Sequence, residues 1–439
     1  MAAVLEVLAT SGQSINASQT IWMPLCEATA AASGVEAYCK LIRRSAGISS
    51  GLYIRVNGNT LTSSSTMTSR KNGVNGNQTL SIGSGATGEF QDTTNSDSIA
   101  SGDSFYTQVV TGTGTQIGWV VVSHLFSATS GMVKRFGEYG GNSTSTTARF
   151  LPLVSATYDT TESNLQMKSK VTGTFKNLYL NVTGNSVTTS VTVRFRKNST
   201  DGNQVVSVSA STTGVFEDTL DTDNVIPGDL ICYAISSTSS GTFTWVNLSC
   251  ELSTVNDTNM FYVGSESIMS QSNNYLSVGG PMAAVDVNVE SNKQAKAQFA
   301  YTASNLLCYL FSNGLATSTY TFRKNGANGN LSVSIASSTT GAFEDTTHTD
   351  SVVATDEINY RFLGGTGTNA SVGFFGHLAS VVGADQLMAW QQPESLPRIN
   401  PVGNYGKYSG AFQTMWIQPP PPPPYFDLTP GNNIMWIEE

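Results

Sequence analysis

Short apolar runs of period two, separated by turn residues, set the pattern of this chain. TVRFRKN, QVVSVSA and LICYAI alternate or run apolar over four to seven positions and are enriched in β-branched and aromatic residues. Asn-Gly, Gly-Asn and Gly-Asp pairs fall between such runs at hairpin spacing. No stretch beyond the first 45 residues keeps a 3.6-residue period, and Ala28 to Tyr38 reads as loop or a short helix. The pattern predicts an all-β protein.

The same pattern recurs three times. RKNGVNGNQTLSIGSGATGEFQDTTNSDSIASGD begins at Arg70, and RKNSTDGNQVVSVSASTTGVFEDTLDTDNVIPGD begins at Arg196. RKNGANGNLSVSIASSTTGAFEDTTHTDSVVATD follows from Arg323, and the first and third copies share 19 of 34 positions without a gap. Upstream, GLYIRVNGN at Gly51 matches NLYLNVTGN at Asn177, and MPLCEAT at Met23 echoes LPLVSAT at Leu151. Three homologous domains are therefore expected at residues 1–130, 131–256 and 257–384, joined by linkers near Ser127–Thr147 and Ser253–Asn274. About eight short strands per unit fit a two-sheet sandwich, with a jelly roll as the favoured topology. Three such copies can close on one another as a single-chain pseudo-trimer.

Two repeated motifs invite a structural and a chemical account. In G-x-F-x-D-T the Phe is expected in the core and the Asp-Thr in the following turn, bonded to backbone. The alternative is a cation site built from Glu217, Asp218, Asp221 and Asp223, or from Glu344, Asp345 and Asp350. The first copy is poorer, with Asp92, Asp97 and Gln91. The Arg-Lys pair of R-K-N is expected at a solvated hairpin end, or else against the acidic turn of a neighbouring domain. Asp103, Asp229 and Asp356 read as turn residues.

Other chemistry is sparse. His124 and His377 stand in SHLFS and GHLAS, with Glu251 taken as the second copy's residue there; a strand edge or core rim is expected for them. No G-x-S-x-G, H-E-x-x-H, Walker or dinucleotide motif occurs, so no enzyme and no cofactor are expected. Only three histidines are present, none at ligand spacing, which argues against zinc. Cys26, Cys39, Cys232, Cys250 and Cys308 lie in apolar runs and are expected reduced, with Cys26–Cys39 or Cys232–Cys250 as the alternative disulfides. Charged residues make up 12% against a usual quarter or so, and the net charge is −9. General phosphate binding to nucleic acid is not expected. MAAVLEVLATSGQ lacks a basic n-region and no run approaches 18 apolar residues, so cytoplasmic synthesis and no membrane span are expected. Tyr139 and Tyr275 are the loop aromatics that a glycan-binding role would use.

After Val382 the composition changes. Ten of the 14 prolines and three of the six tryptophans fall between Ala389 and Glu439. Pro419–Pro424 should form a polyproline II rod of roughly 19 Å. Around it stand Met415, Trp416 and Ile417, Tyr425 and Phe426, and Met435, Trp436 and Ile437. Residues 385–439 are thus expected to form an extended arm that buries its aromatics on another subunit. Folding back on its own domains, or serving as an SH3-type ligand, are the alternatives.

The Gly/Ser/Thr/Asn-rich strands, the RKNG-x-NGN and TG-x-FEDT hairpins and the aromatic tail together resemble structural proteins of tailed-bacteriophage virions. The units are similar to the trimerising, tumour-necrosis-factor-like jelly rolls of capsid decoration (cement) proteins and tail fibres. That resemblance implies a non-enzymatic protein of the virion surface whose partner is the major capsid protein or another virion subunit, bound through residues 389–439. Tail-fibre attachment to a host surface glycan and a cell-surface adhesin are the other roles it leaves open. Two departures stand out: such folds usually occur once per chain, and no fibre shaft follows.

Overall fold

The computed structural model describes residues 4–381, except short stretches at 26–32, 130–131, 139–140, 144–145, 155–157, 255–257, 265–267 and 279–285. The docking candidates Met415, Trp416, Ile417, Tyr425, Phe426, Met435, Trp436 and Ile437 lie outside the described residues, as do Cys26 and Tyr139.

Alternating burial makes each unit a pair of facing antiparallel sheets. The second repeat shows the plan most fully. One sheet runs Met132–Glu138, Phe243–Thr254, Gly173–Asn185, Gly214–Val225; the other runs Arg149–Leu151, Leu230–Ser237, Val191–Lys197, Thr200–Val208. Numbering these eight strands along the chain, the orders are first–eighth–third–sixth and second–seventh–fourth–fifth. That is jelly-roll topology, two Greek keys folded into one sandwich. The first repeat repeats the order with Val4–Asn16, Gly114–Ala128, Gly47–Leu61 and Gly88–Gln91 facing Thr20–Pro24, Phe105–Val110, Ser65–Lys71 and Val74–Ile82. In the third, Thr258–Gly264, Gly367–Val381, Tyr301–Leu315 and Gly341–Val352 form the equivalent first sheet. The one α-helix among the described residues is a single turn, Glu36–Cys39.

The expected linkers are a correction. Met132–Glu138 and Thr258–Gly264 are the first strands of repeats two and three, paired in register with Leu248–Thr254 and Phe374–Ser380. Strand hydrogen bonding claims these residues, although their composition resembles that of loops. The sandwiches are consequently joined by only a few residues.

Each core is filled from both sheets. In repeat two Phe175, Leu178, Leu180, Val193, Phe195, Tyr233, Trp245 and Leu248 are all buried in one cluster. Cys39, Cys232, Cys250 and Cys308 are buried, and Cys232 and Cys250 are free thiols that form no disulfide with each other. Phe90 and Phe216 of the G-x-F-x-D-T motif are only partly buried and pack against the core margin.

The motif's aspartates have a more definite task. Thr200–Val208 is the edge of its sheet, and the outward N–H groups of an edge strand need acceptors. Asp223 accepts from the N–H of Asn203 at 2.7 Å, and Asp218 from that of Val205 at 2.9 Å. The same two bonds recur as Asp97–Asn77 and Asp92–Thr79 in repeat one, and as Asp350–Asn330 and Asp345–Ser332 in repeat three. Asp92, Asp218 and Asp345 also accept from the next turn's N–H groups, at Thr94, Leu220 and Thr347, as expected. These carboxylates stitch one sheet's edge to the opposite sheet. The aspartates of these pairs thus hold backbone donors, and Glu217 and Glu344 turn to cationic side chains instead.

Asp103, Asp229 and Asp356 close their own turns by accepting from Ala100, Ile226 and Val353 N–H. Their second oxygens take the amides of Asn72, Asn198 and Asn325. Those asparagines sit at the R-K-N hairpins with φ of 53°, 51° and 52°, a left-handed conformation that Asn tolerates. The hairpin arginines correct the expectation. Arg70, Arg196 and Arg323 pair with Glu36, Glu162 and Glu290 of their own repeats at 2.7, 2.8 and 2.6 Å. Each pins the connection between the second and third strands of its repeat.

Gly202 leaves room for the edge stitch: a Cβ there would stand 2.7 Å from Asp223 Oδ1. Gly202→Ala should therefore push Asp223 off the Asn203 N–H and the other donors it holds, and lower the unfolding free energy by about 1–3 kcal/mol. Urea titration checks this. An unchanged midpoint would show that the edge does not depend on Asp223.

Candidate functional site

The three sandwiches touch through one recurring head-to-tail contact. The segment between a repeat's second and third strands lies on the outer face of the next repeat's first–eighth–third–sixth sheet. Repeat one meets two in this way, two meets three, and three meets one. A heterologous contact of this type either closes or propagates; here it closes after three steps.

In the one–two seam, Tyr179 Oη donates to Lys40 O at 3.0 Å, Asn247 to Tyr38 O at 2.9 Å, and Arg135 to Ile42 O at 2.8 Å. Leu41 is buried with Tyr179 and Val246. Arg44 forms an ion pair with Glu217. In the two–three seam Lys170 pairs with Glu344, and Lys168 approaches it at 3.9 Å. Leu307, Phe374 and Leu378 of repeat three join the apolar cluster of repeat two. In the three–one seam Lys296 pairs with Glu89 at 3.2 Å, Gln298 donates to Ser123 Oγ at 2.8 Å, and Ala295 packs with Tyr53 and Val121. Arg55 bridges Glu89 and Glu357, each at 3.1 Å.

One position divides the seams by size. Asn181 stands where Arg55 and Tyr309 stand in the other receiving sheets. Tyr309 fills its seam by stacking on Phe374 at 4.8 Å. The shorter Asn181 leaves a cleft of about 550 Å³ in the one–two seam, bordered by Tyr38, Lys40, Asn72, Thr183 and Val215.

The eighth strand carries the other departure from expectation. Pairing places Cys250 opposite Phe136 and His377 opposite Phe261. Leu252 pairs with Phe175 as Phe126 pairs with Ser49. Cys250, rather than Glu251, is thus the counterpart of His124 and His377. All three are fully buried, not at a rim. Each meets a seventh-strand residue across the sandwich: His124 with Thr107 at 3.0 Å, Cys250 with Tyr233 at 3.0 Å, His377 with Tyr360 at 2.6 Å. Burial pushes the His124 imidazole down to about 3, outweighing the opposing pull of the Asp97 charge. These groups tie sheet to sheet. Tyr275, the other loop aromatic expected, is also a correction: it lies in the strand Asn273–Ser277, 9% exposed, beneath Arg323.

Glu251 sits one residue on, facing outward into the one–two seam, where Leu125 and Leu378 occupy the same place in the other repeats. It is completely buried with Arg135, 2.8 Å away. Asn177, the Ser45 hydroxyl and the Arg44 N–H complete its shell at 2.8, 3.0 and 3.2 Å. Asn177 can reach it because a bulge with φ of 57° interrupts its strand. Burial alone would raise this carboxyl. The Arg135 and Arg43 guanidiniums, helped by Asn177 and the Arg44 N–H, more than offset that and hold it at about 2. The period-two pattern and the repeat alignment could not show this pair, because Arg135 and Glu251 are 116 residues apart.

Removing one member of this pair strands a buried charge, whereas exchanging both for apolar residues does not. Glu251→Gln should cost about 3–5 kcal/mol. Glu251→Leu with Arg135→Met gives repeat two the residues found at Leu378 and its strand neighbour Met260, and should retain wild-type stability or exceed it. Because the folded carboxyl lies below its usual 4.5, its contribution is complete above that pH and fades as pH falls from 4.5 toward 2. The double variant should therefore lose less stability over that interval. Melting temperatures of the three proteins at neutral pH and across the acid range decide the matter.

No known family and no curated protein matches this sequence. Among solved structures, a chain from the atomic structure of Sulfolobus turreted icosahedral virus aligns with 85% of this chain and 92% of its own length. The identity is 12% and the TM-score 0.16, a likeness too slight to bear on fold or role.

Proposed function

We propose that this chain is a non-enzymatic structural protein of a virion, a single-chain pseudo-trimer that decorates and stabilises the capsid surface. The observation that carries this reading is the closed ring of three like seams. A ring of three similar sandwiches offers near-identical faces around one axis, which suits a threefold or quasi-threefold position of a shell. The non-enzymatic part rests on how fully the repeated polar groups are occupied. The aspartates hold backbone N–H groups, the buried histidines bridge sheets, and Glu89, Glu217 and Glu344 hold seam cations. In this reading residues 389–439 are the clamp on the major capsid protein or a neighbouring subunit, with the two Met-Trp-Ile segments as anchors on either side of the proline rod. A decoration protein that binds only the assembled shell stabilises it by mass action.

The copy number per purified particle, measured by quantitative mass spectrometry against the major shell protein, tests the assignment. A count in simple ratio to the shell is expected. A handful per particle would instead make this a tail attachment part, and absence would return the protein to the adhesin class. Deleting residues 389–439 should leave three folded sandwiches that no longer attach. Trp416→Ala and Trp436→Ala should each weaken attachment by about 2 kcal/mol or more; undiminished binding of all three variants would refute the clamp.

A further inference from the structure

The three seams share a plan, but their central polar pair is not the same. Backbone bonds to the following turn align the donor segments. Arg43 N–H donates to Asp103 O, Ser169 N–H to Asp229 O and Ala297 N–H to Asp356 O. Arg44, Lys170 and Gln298, each the next residue, are therefore equivalent. On the receiving side the G-x-F-x-D motif aligns Glu217, Glu344 and Gln91. Arg44 meets Glu217 and Lys170 meets Glu344. In the ring-closing seam both residues are neutral: Gln298 Oε1 and Gln91 Nε2 lie 3.5 and 3.6 Å from where a Cβ on Gly51 would stand, Gln298 gives its amide to Ser123 Oγ, and its Oε1 is buried without a hydrogen-bond partner. The two charges have been replaced together. Cation and carboxylate shift to a different pair of positions, Lys296 and Glu89.

We infer that these matched sets form a pairing code that fixes the order of the ring and rejects closure by the wrong repeat, including one from a second copy of the chain. The three–one seam is the only one whose repeats are not adjacent in sequence. It is thus the seam that another chain can most readily invade, and an invaded head-to-tail seam propagates into open oligomers. If repeat three docked on repeat two, Gln298 would face Glu217 in place of Arg44, and the carboxylate would keep only the more distant Lys296, the counterpart of Lys168. If repeat one docked on another chain's repeat one, Arg44 would face Gln91 and the guanidinium would be stranded. Most of the side chains involved are shielded: Lys170 and Glu344 are 9% and 18% exposed and Glu217 13%, with Arg44 the most open at 30%. A lost partner there is costly. Specificity comes from the penalty on mismatches as much as from the matches. The Glu251–Arg135 pair extends the code, since only the one–two seam brings Ser45 and Arg44 N–H to that carboxylate.

The test rewrites the code in the full chain. Gln298→Lys and Gln91→Glu, introduced singly, should each lower the melting temperature by about 2–4 °C. Together they should recover most of that loss, because a cation–carboxylate pair then spans the closing seam as in the other two. Yet the double variant, with seams now alike, should give about threefold more interchain oligomer than wild type after refolding from denaturant at high concentration, read by light scattering on a sizing column. A second rewriting, Lys170→Gln with Glu344→Gln, makes the two–three seam neutral like the closing one and should raise the oligomer fraction similarly. Additive losses in the first pair would show that residues 91 and 298 do not meet. An oligomer fraction unchanged in both rewritten chains would show that the pairs do not choose partners. Either result overturns the proposal.

Discussion

A head-to-tail contact has two unlike halves, and each sandwich in this chain carries both. One half is the segment between the second and third strands, pinned by Arg70, Arg196 or Arg323 to Glu36, Glu162 or Glu290. The other is the outer face of the first–eighth–third–sixth sheet. Two repeats in such a contact always leave one half exposed at each end, and so the array must keep growing or curve back on itself. With three repeats the last segment reaches the first sheet, and no half is left over. The arrangement of the chain follows from this constraint: connections of only a few residues, outward sheet faces whose apolar residues, such as Tyr179, Val246 and Val121, are buried in contacts, and ion pairs across the seams.

The low charge content has a physical meaning in such a ring. Charged side chains are not spread as a solvated coat. Carboxylates take up the outward N–H groups of edge strands, as Asp218 and Asp223 do for Val205 and Asn203, others pin hairpins within a repeat, as Glu162 does for Arg196, and a further set joins repeats at the seams. The edge-strand use also answers a hazard of β-sheet proteins, because an edge whose N–H groups are occupied by a buried carboxylate cannot recruit a foreign strand. The glycine facing each carboxylate belongs to the same device, since a Cβ at Gly76, Gly202 or Gly329 would meet the carboxylate oxygens.

How much of this could be read from the sequence depends on distance along the chain. Period-two alternation and three gapless copies were enough to establish the sandwiches, and the Asp-Thr turns were legible because their partners lie two or three residues away. The pairings that organise the ring were not. Arg44 and Glu217 are 173 residues apart, and Lys170 and Glu344 are 174 apart; nothing local marks them as partners. The His124 position shows a subtler failure. The nearest residue of titratable type in the second copy is Glu251, but strand pairing gives that place to Cys250 and turns Glu251 to the opposite face of the sheet. A one-residue slip in a strand reverses inside and outside, and here it exchanged a core bridge for a seam charge. Residues 385–439 raise a different issue: composition leads one to expect a stiff rod between apolar anchors, without naming any surface that would receive them.

Joining three sandwiches in one chain has a consequence beyond raising their effective concentration for one another. In a trimer of identical chains, every seam must carry the same residues, and any pair that favours the correct contact favours every other copy of that contact equally. Covalent connection removes the restriction. Position 251 can then hold a buried carboxylate in one seam and, as Leu125 and Leu378, a leucine in the others. Position 298 can hold an amide where its counterparts are Arg44 and Lys170, provided that the facing residue changes with it. The ring keeps the shape of a threefold object while its three contacts differ chemically. A fused chain can thus meet a symmetric surface and still distinguish its own repeats from those of its neighbours, which no homotrimer of a single sandwich can do.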